Sequence, residues 1–111
     1  MSNDEAYVRH IIEAIEKIER YLNGVPAEEF TRRDLLIDGV VRELEIIGEA
    51  ARHFSQEFRS QHPDIPTQDI VGMRDHLIHQ YFGVDLDIVW KTVQDDLPSL
   101  KAQLQRILGE V

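Results

Sequence analysis

The sequence predicts an all-α protein, an up-and-down bundle of four to five helices. Three observations predict it. Apolar residues recur at three- and four-residue spacing over long segments, glycine and proline fall mostly between those segments, and no stretch reads as a credible strand. The chain has 111 residues, 42% hydrophobic and 30% charged, which fits one domain over 1–111. That size buries a modest core without help from metal or disulfides.

In the first helix Val8, Ile11, Ile12, Ile15, Ile18 and Leu22 form one face. Ser2 or Asn3 is placed to cap it, Asp4 and Glu5 suit the helix dipole in its first turn, and Gly24 and Pro26 end it. The second helix is expected from Thr31, with Asp34 completing a capping box. Leu35, Leu36, Val40, Val41, Leu44, Ile47, Ala51 and Phe54 carry its stripe. Gly39 and Gly48 lie inside it, and each costs about 1 kcal/mol relative to alanine. Such a cost predicts close approach by a neighbouring helix, easiest at Gly48-Glu49-Ala50-Ala51. The stripe is longer than one small bundle readily covers, and the surplus reads as a homodimer face.

Pro63 and Pro66 bracket a loop. Thr67 then caps a third helix running through Ile70, Met73, Leu77 and Ile78 to about Tyr81, before Gly83 breaks it. Asp85 begins a fourth with Ile88, Val89, Trp90 and Val93. Pro98 is expected to break or kink it near Asp96–Leu97, after which Leu97, Leu100, Leu104, Ile107 and Leu108 continue the pattern.

Composition removes several kinds of chemistry. With no cysteine there is no disulfide scaffold, thiolate zinc site, iron–sulfur cluster or cysteine nucleophile. The polar, acidic start is unlike a secretory signal, and no apolar run approaches the roughly 18 residues that span a bilayer. The expectation is a cytoplasmic protein away from membranes. A net charge of −9 opposes non-specific binding to nucleic acid. A small concave cluster of arginines, or one assembled from two chains, escapes that objection.

Chemistry-bearing residues concentrate in Met73-Arg74-Asp75-His76-Leu77-Ile78-His79-Gln80-Tyr81. Asp75 and His79 are i,i+4 neighbours on a helix, so the carboxylate can fix the imidazole tautomer. Arg74 and His79 lie five apart, roughly 140° around the axis, so a second protomer or local unwinding must bring them to one atom. Read alone, these residues also fit a solvated helix face. A metal site using His76 and His79 would lack a third ligand nearby in sequence. Arg32, Arg33, Arg42 and Arg52 could supply a positive rim.

Arg74-Asp75-His76-Leu77-Ile78-His79-Gln80-Tyr81 resembles the Arg-x4-His-x-Tyr pattern of HepT-like proteins of the HEPN superfamily. The likeness extends over essentially the whole chain, through Leu44-Glu45-Ile46-Ile47-Gly48-Glu49-Ala50-Ala51 and Phe82-Gly83-Val84-Asp85. It implies a HEPN-like, dimeric bundle. It also implies the toxin half of a toxin–antitoxin module, a metal-independent endoribonuclease with no cofactor. Arg74 and His79 would be the catalytic pair and Asp75 the residue orienting His79. Tyr81 would be where a minimal nucleotidyltransferase antitoxin, MntA-like, attaches AMP. The alternative that the resemblance leaves open is a non-catalytic nucleotide- or substrate-binding partner of a nucleotidyltransferase.

Overall fold

The computed structural model describes residues 3–79 and 85–109, with the side chains of Ile78 and His79 left out. Its described residues are helical, with no strand. The helices are α1 (Asp4–Tyr21), α2 (Ala27–Phe30), α3 (Asp34–Arg52), α4 (Gln56–Gln61), α5 (Thr67–His79), α6 (Leu86–Lys91) and α7 (Leu97–Leu108). A π-turn, Thr92–Asp96, joins α6 to α7. α3 lies between α1 and α5, and α7 packs on α1. The molecule is 19 Å across its thinnest direction, close to two helix diameters.

The core follows the spacing that predicts it. Val8, Ile11, Ile15 and Ile18 of α1 meet Val40, Leu44, Ile47 and Ala51 of α3, with Leu77 of α5 and Leu97, Leu100 and Leu104 of α7 in the same cluster. Lys101 ties α7 to α1 through Glu19 at 2.9 Å and Glu16 at 3.5 Å. The hydrogen bond that Lys101 donates to Glu19 does most to raise the lysine pKa above its ordinary 10.5.

Several expected boundaries shift, each for a local reason. Asn3 holds the N-cap position of α1 without a side-chain hydrogen bond. Asp4 instead turns inward and accepts from Ser55 N at 2.8 Å and Ser55 Oγ at 2.6 Å. Ser55 Oγ in turn accepts from Phe58 N at 3.0 Å and so caps α4, a helix the periodicity did not predict. Thr31 does not cap α3. It closes the short α2, its hydroxyl donating to the Glu28 carbonyl at 2.9 Å, and Arg33 holds the α3 N-cap position without a side-chain capping bond. Leu35, placed in the apolar stripe, is 88% exposed, while the next two residues, Leu36 and Ile37, pack against the core. Thr67 is buried as the first residue of α5. The expected break at Gly83 lies outside the described residues.

Asp85 does cap α6, accepting from Asp87 N at 2.9 Å and Ile88 N at 3.3 Å. Trp90 is half-buried and packs on Phe30 at 5.4 Å. Pro98 sits in the first turn of α7, where its missing N–H costs least, and the π-turn before it absorbs the discontinuity.

Replacing Ser55 with alanine removes the α4 cap and leaves the buried Asp4 carboxylate short of one of its two Ser55 donors, the backbone N–H remaining. We expect a loss of about 1–3 kcal/mol in urea unfolding. An unchanged midpoint would show that this junction contributes nothing.

Candidate functional site

The candidate site is built on the seam between α3 and α5. A Cβ placed on Gly48 would overlap the Arg74 Cβ and stand 3.0 Å from its Cγ and 3.1 Å from its Cδ. Glycine at position 48 therefore makes room for the stem of Arg74. This is the close approach that the small-residue patch predicts. Gly39 accommodates the Tyr21 ring in the same way, 3.3 Å from a Cβ placed there.

Its stem seated there, Arg74 extends between two carboxylates. Nη2 lies 3.1 Å from Glu49 Oε1 and Nη1 lies 3.4 Å from Asp75 Oδ1, and the side chain is 23% exposed. Arg52, in the last turn of α3, donates to the same Asp75 oxygen at 3.0 Å. The other oxygen of Glu49 pairs with His53 Nε2 at 3.1 Å. His53 stacks on Tyr7 of α1, with ring centroids 5.0 Å apart and planes 13° from parallel, and the His10 ring stands nearly perpendicular to Tyr7 at 5.9 Å. Arg59 of α4 donates to the Arg52 carbonyl at 3.3 Å, while its Nε is buried with no hydrogen-bond partner among the described residues.

Around this seam stand the guanidinium groups of Arg52, Arg59 and Arg74 and the carboxylates of Glu49 and Asp75. The balance is locally positive in a chain of net charge −9. The arrangement suits an anion because guanidinium groups offer planar, permanent donors to phosphate oxygens. Of the four arginines expected as a rim, only Arg52 joins the cluster. Arg32 and Arg33 precede α3, whose 19 residues carry them about 28 Å from Arg52, and Arg33 pairs with Glu29 at 3.0 Å.

Asp75 is expected beside His79. Its described partners are Arg52 and Arg74, brought in because the last turn of α3 runs along α5. His79 is the final residue of α5. Its side chain and the whole of Tyr81 lie outside the described residues. Sequence reasoning missed Glu49, His53, Tyr7 and Arg59. The Glu49–His53 spacing of four was the available signal; the link from His53 to Tyr7 spans α3 and α1 and has none.

Among the described residues no three histidine, aspartate or glutamate side chains gather as a metal site requires. A cavity of about 460 Å³ opens against α5, floored by Leu44, Ile47 and Met73 and edged by Asp69, Asp95 and Asp96. Among the described residues no basic group lines it, so that lining does not suit a phosphate chain.

The model of the family described as "Ribonuclease HepT-like" matches residues 11–107. A protein of Caldanaerobacter subterraneus named "Putative RNase TTE0752" is 40% identical over 108 residues, covering 97% of this chain and 96% of that one. "Probable ribonuclease HepT" of Thermococcus cleftensis is 44% identical over 101 residues, covering 91% and 92%. No solved structure matches the chain.

Two glycines on the facing helices should respond oppositely to alanine. Gly48→Ala must push α5 off α3 or displace Arg74, and is expected to destabilise by about 1–3 kcal/mol. A Cβ on Gly72 meets nothing within 4 Å, so Gly72→Ala should stabilise by roughly 0.4–1 kcal/mol. Denaturant unfolding of both variants checks the pair, and equal effects would contradict the geometry.

Proposed function

Because the chain belongs to the HepT-like ribonuclease family, we propose that it is a cytoplasmic toxin that cuts RNA through Arg74 and His79 at a site shared by two protomers. The observation that carries this reading is the seating of Arg74. Its stem fills the space left by Gly48 and its guanidinium is held by Glu49 and Asp75, five residues before the end of α5 at His79. A permanent cation fixed this firmly is pre-organised for a phosphorane, and such electrostatic pre-organisation is usually the largest single contribution to catalysis.

RNA carries its own nucleophile. One His79 takes the proton from the 2′-hydroxyl, whose oxygen attacks the adjacent phosphorus. The bond to the 5′-oxygen breaks, and a second His79 gives that oxygen a proton. The products are a 2′,3′-cyclic phosphate and a 5′-hydroxyl, and no metal or covalent protein intermediate is required. The reaction needs two imidazoles in opposite protonation states, and a two-fold dimer supplies two copies of His79. The same symmetry relieves the roughly 140° between Arg74 and His79 on one helix, since Arg74 of one chain can serve His79 of the other. In this scheme Asp75 orients His79 while sharing its charge with Arg52 and Arg74.

Tyr81 is the proposed point of control, by a minimal nucleotidyltransferase antitoxin of the MntA kind. The phenolic oxygen attacks the α-phosphorus of ATP, pyrophosphate leaves, and the phenolic proton passes to solvent. The AMP so attached places negative charge two residues from His79 and repels RNA phosphate.

Two measurements test these readings. Total RNA should be cut by the purified protein in excess EDTA and left intact by His79→Ala and Arg74→Ala, each lowering the rate by at least about 100-fold. A 3′-hydroxyl product, or cutting that needs added metal, would sink the mechanism. If His79→Ala only weakens nucleotide binding and the wild type cuts nothing, the chain is a binding partner of the nucleotidyltransferase. Protein made together with that antitoxin should show adenylyl mass on the Tyr81 peptide. Neutralisation with an unmodified peptide would instead indicate occlusion.

A further inference from the structure

We propose that His53, backed by Tyr7, is a stacking platform for a nucleobase of single-stranded RNA next to the phosphate held at Arg74. This rests on the RNA-cutting reading and adds to it a base subsite. Tyr7 is half-buried on α1 and covers one side of the His53 ring at near-parallel geometry, 5.0 Å and 13°. The His53 side chain is still 49% exposed, which leaves room for a third ring on the stack. Its plane is fixed twice: the Tyr7 ring lies under it, and Nε2 is bound to Glu49 at 3.1 Å. Edge contact from His10 steadies Tyr7 in turn.

Position gives the platform its meaning. His53 and Arg74 sit on opposite oxygens of the Glu49 carboxylate, one hydrogen bond each. A chain whose phosphate reaches the guanidinium groups of Arg74 and Arg52 therefore passes beside the exposed imidazole face. Unpaired bases stack on such rings with little regard to identity, because every base has a π-face. A duplex keeps its bases in their own stack and cannot use the platform. The subsite thus favours unpaired over paired RNA at the cut.

The test uses the whole purified chain and two probes of equal length. One is a 2′-O-methyl oligoadenylate, which lacks the attacking hydroxyl and so is not cut. The other is the same backbone without bases. The wild type is expected to bind the oligoadenylate roughly five- to hundredfold more tightly than the abasic chain. His53→Ala should abolish that preference and leave abasic binding unchanged. His53→Phe should restore it, since phenylalanine stacks but cannot bond to Glu49.

Three results would each overturn the proposal: no preference in the wild type, a preference that survives His53→Ala, or failure of phenylalanine to rescue. The last would mean that His53 acts through Glu49. Because these probes report binding alone, failure of the ribonuclease reading appears separately, as intact RNA in the cleavage assay.

Discussion

Arg74 depends on an absent side chain. A methyl group on residue 48 would occupy the space its stem fills, so the distance between α3 and α5 and the seat of the cation are one constraint. The rest of the cluster hangs from it. At this separation Glu49 and Arg52 on α3 reach Arg74 and Asp75 on α5. A helix interior loses about 1 kcal/mol by carrying glycine there. That loss is offset by a buried stem, two carboxylate contacts and a guanidinium that has given up much of its rotamer freedom before any ligand arrives.

The electrostatics follow from the same seam. An acidic chain has little long-range attraction for RNA, and any affinity must arise over short distances where counter-charges can be rearranged. Glu49 and Asp75 serve as internal counterions. They hold Arg74 in place and also set a threshold, since an incoming phosphate must share or replace one of them. A site of this kind discriminates by geometry, because a polyanion held a few ångströms away gains almost nothing from it.

Much of the fold was legible because helix periodicity reports burial directly. Val8 to Ile18, Val40 to Ala51 and Leu97 to Leu104 are core in the structure as their spacing implies. What escaped was decided by contacts distant in sequence. Ser55 caps α4 while binding Asp4, 51 residues away, and no local pattern encodes that pairing. Leu35 matches the stripe by spacing but faces away from the core that its neighbours Leu36 and Ile37 join. In the site, Gly48 and Arg74 were each legible, one as a helix interruption and the other as part of a charged motif. That the first makes room for the second, and that Glu49, Arg52 and His53 complete the cluster, needed the crossing of α3 with α5.

The π-turn at Thr92–Asp96 bears on how this chain can change length. Val89, Val93 and Leu97 are all buried at successive spacings of four, which on a regular α-helix would drift by about 80° away from one face. A turn closed one residue later takes up that surplus and keeps the three in line. The segment is therefore a reservoir of one residue. A deletion within it can be absorbed by reverting to an ordinary turn, which leaves the residues on either side in line. An insertion there has no such outlet and rotates Leu100 and Leu104 off the core by about 100°. Single-residue deletions between residues 92 and 96 should thus be tolerated without changes in α7, while insertions there should arise together with substitutions in α7.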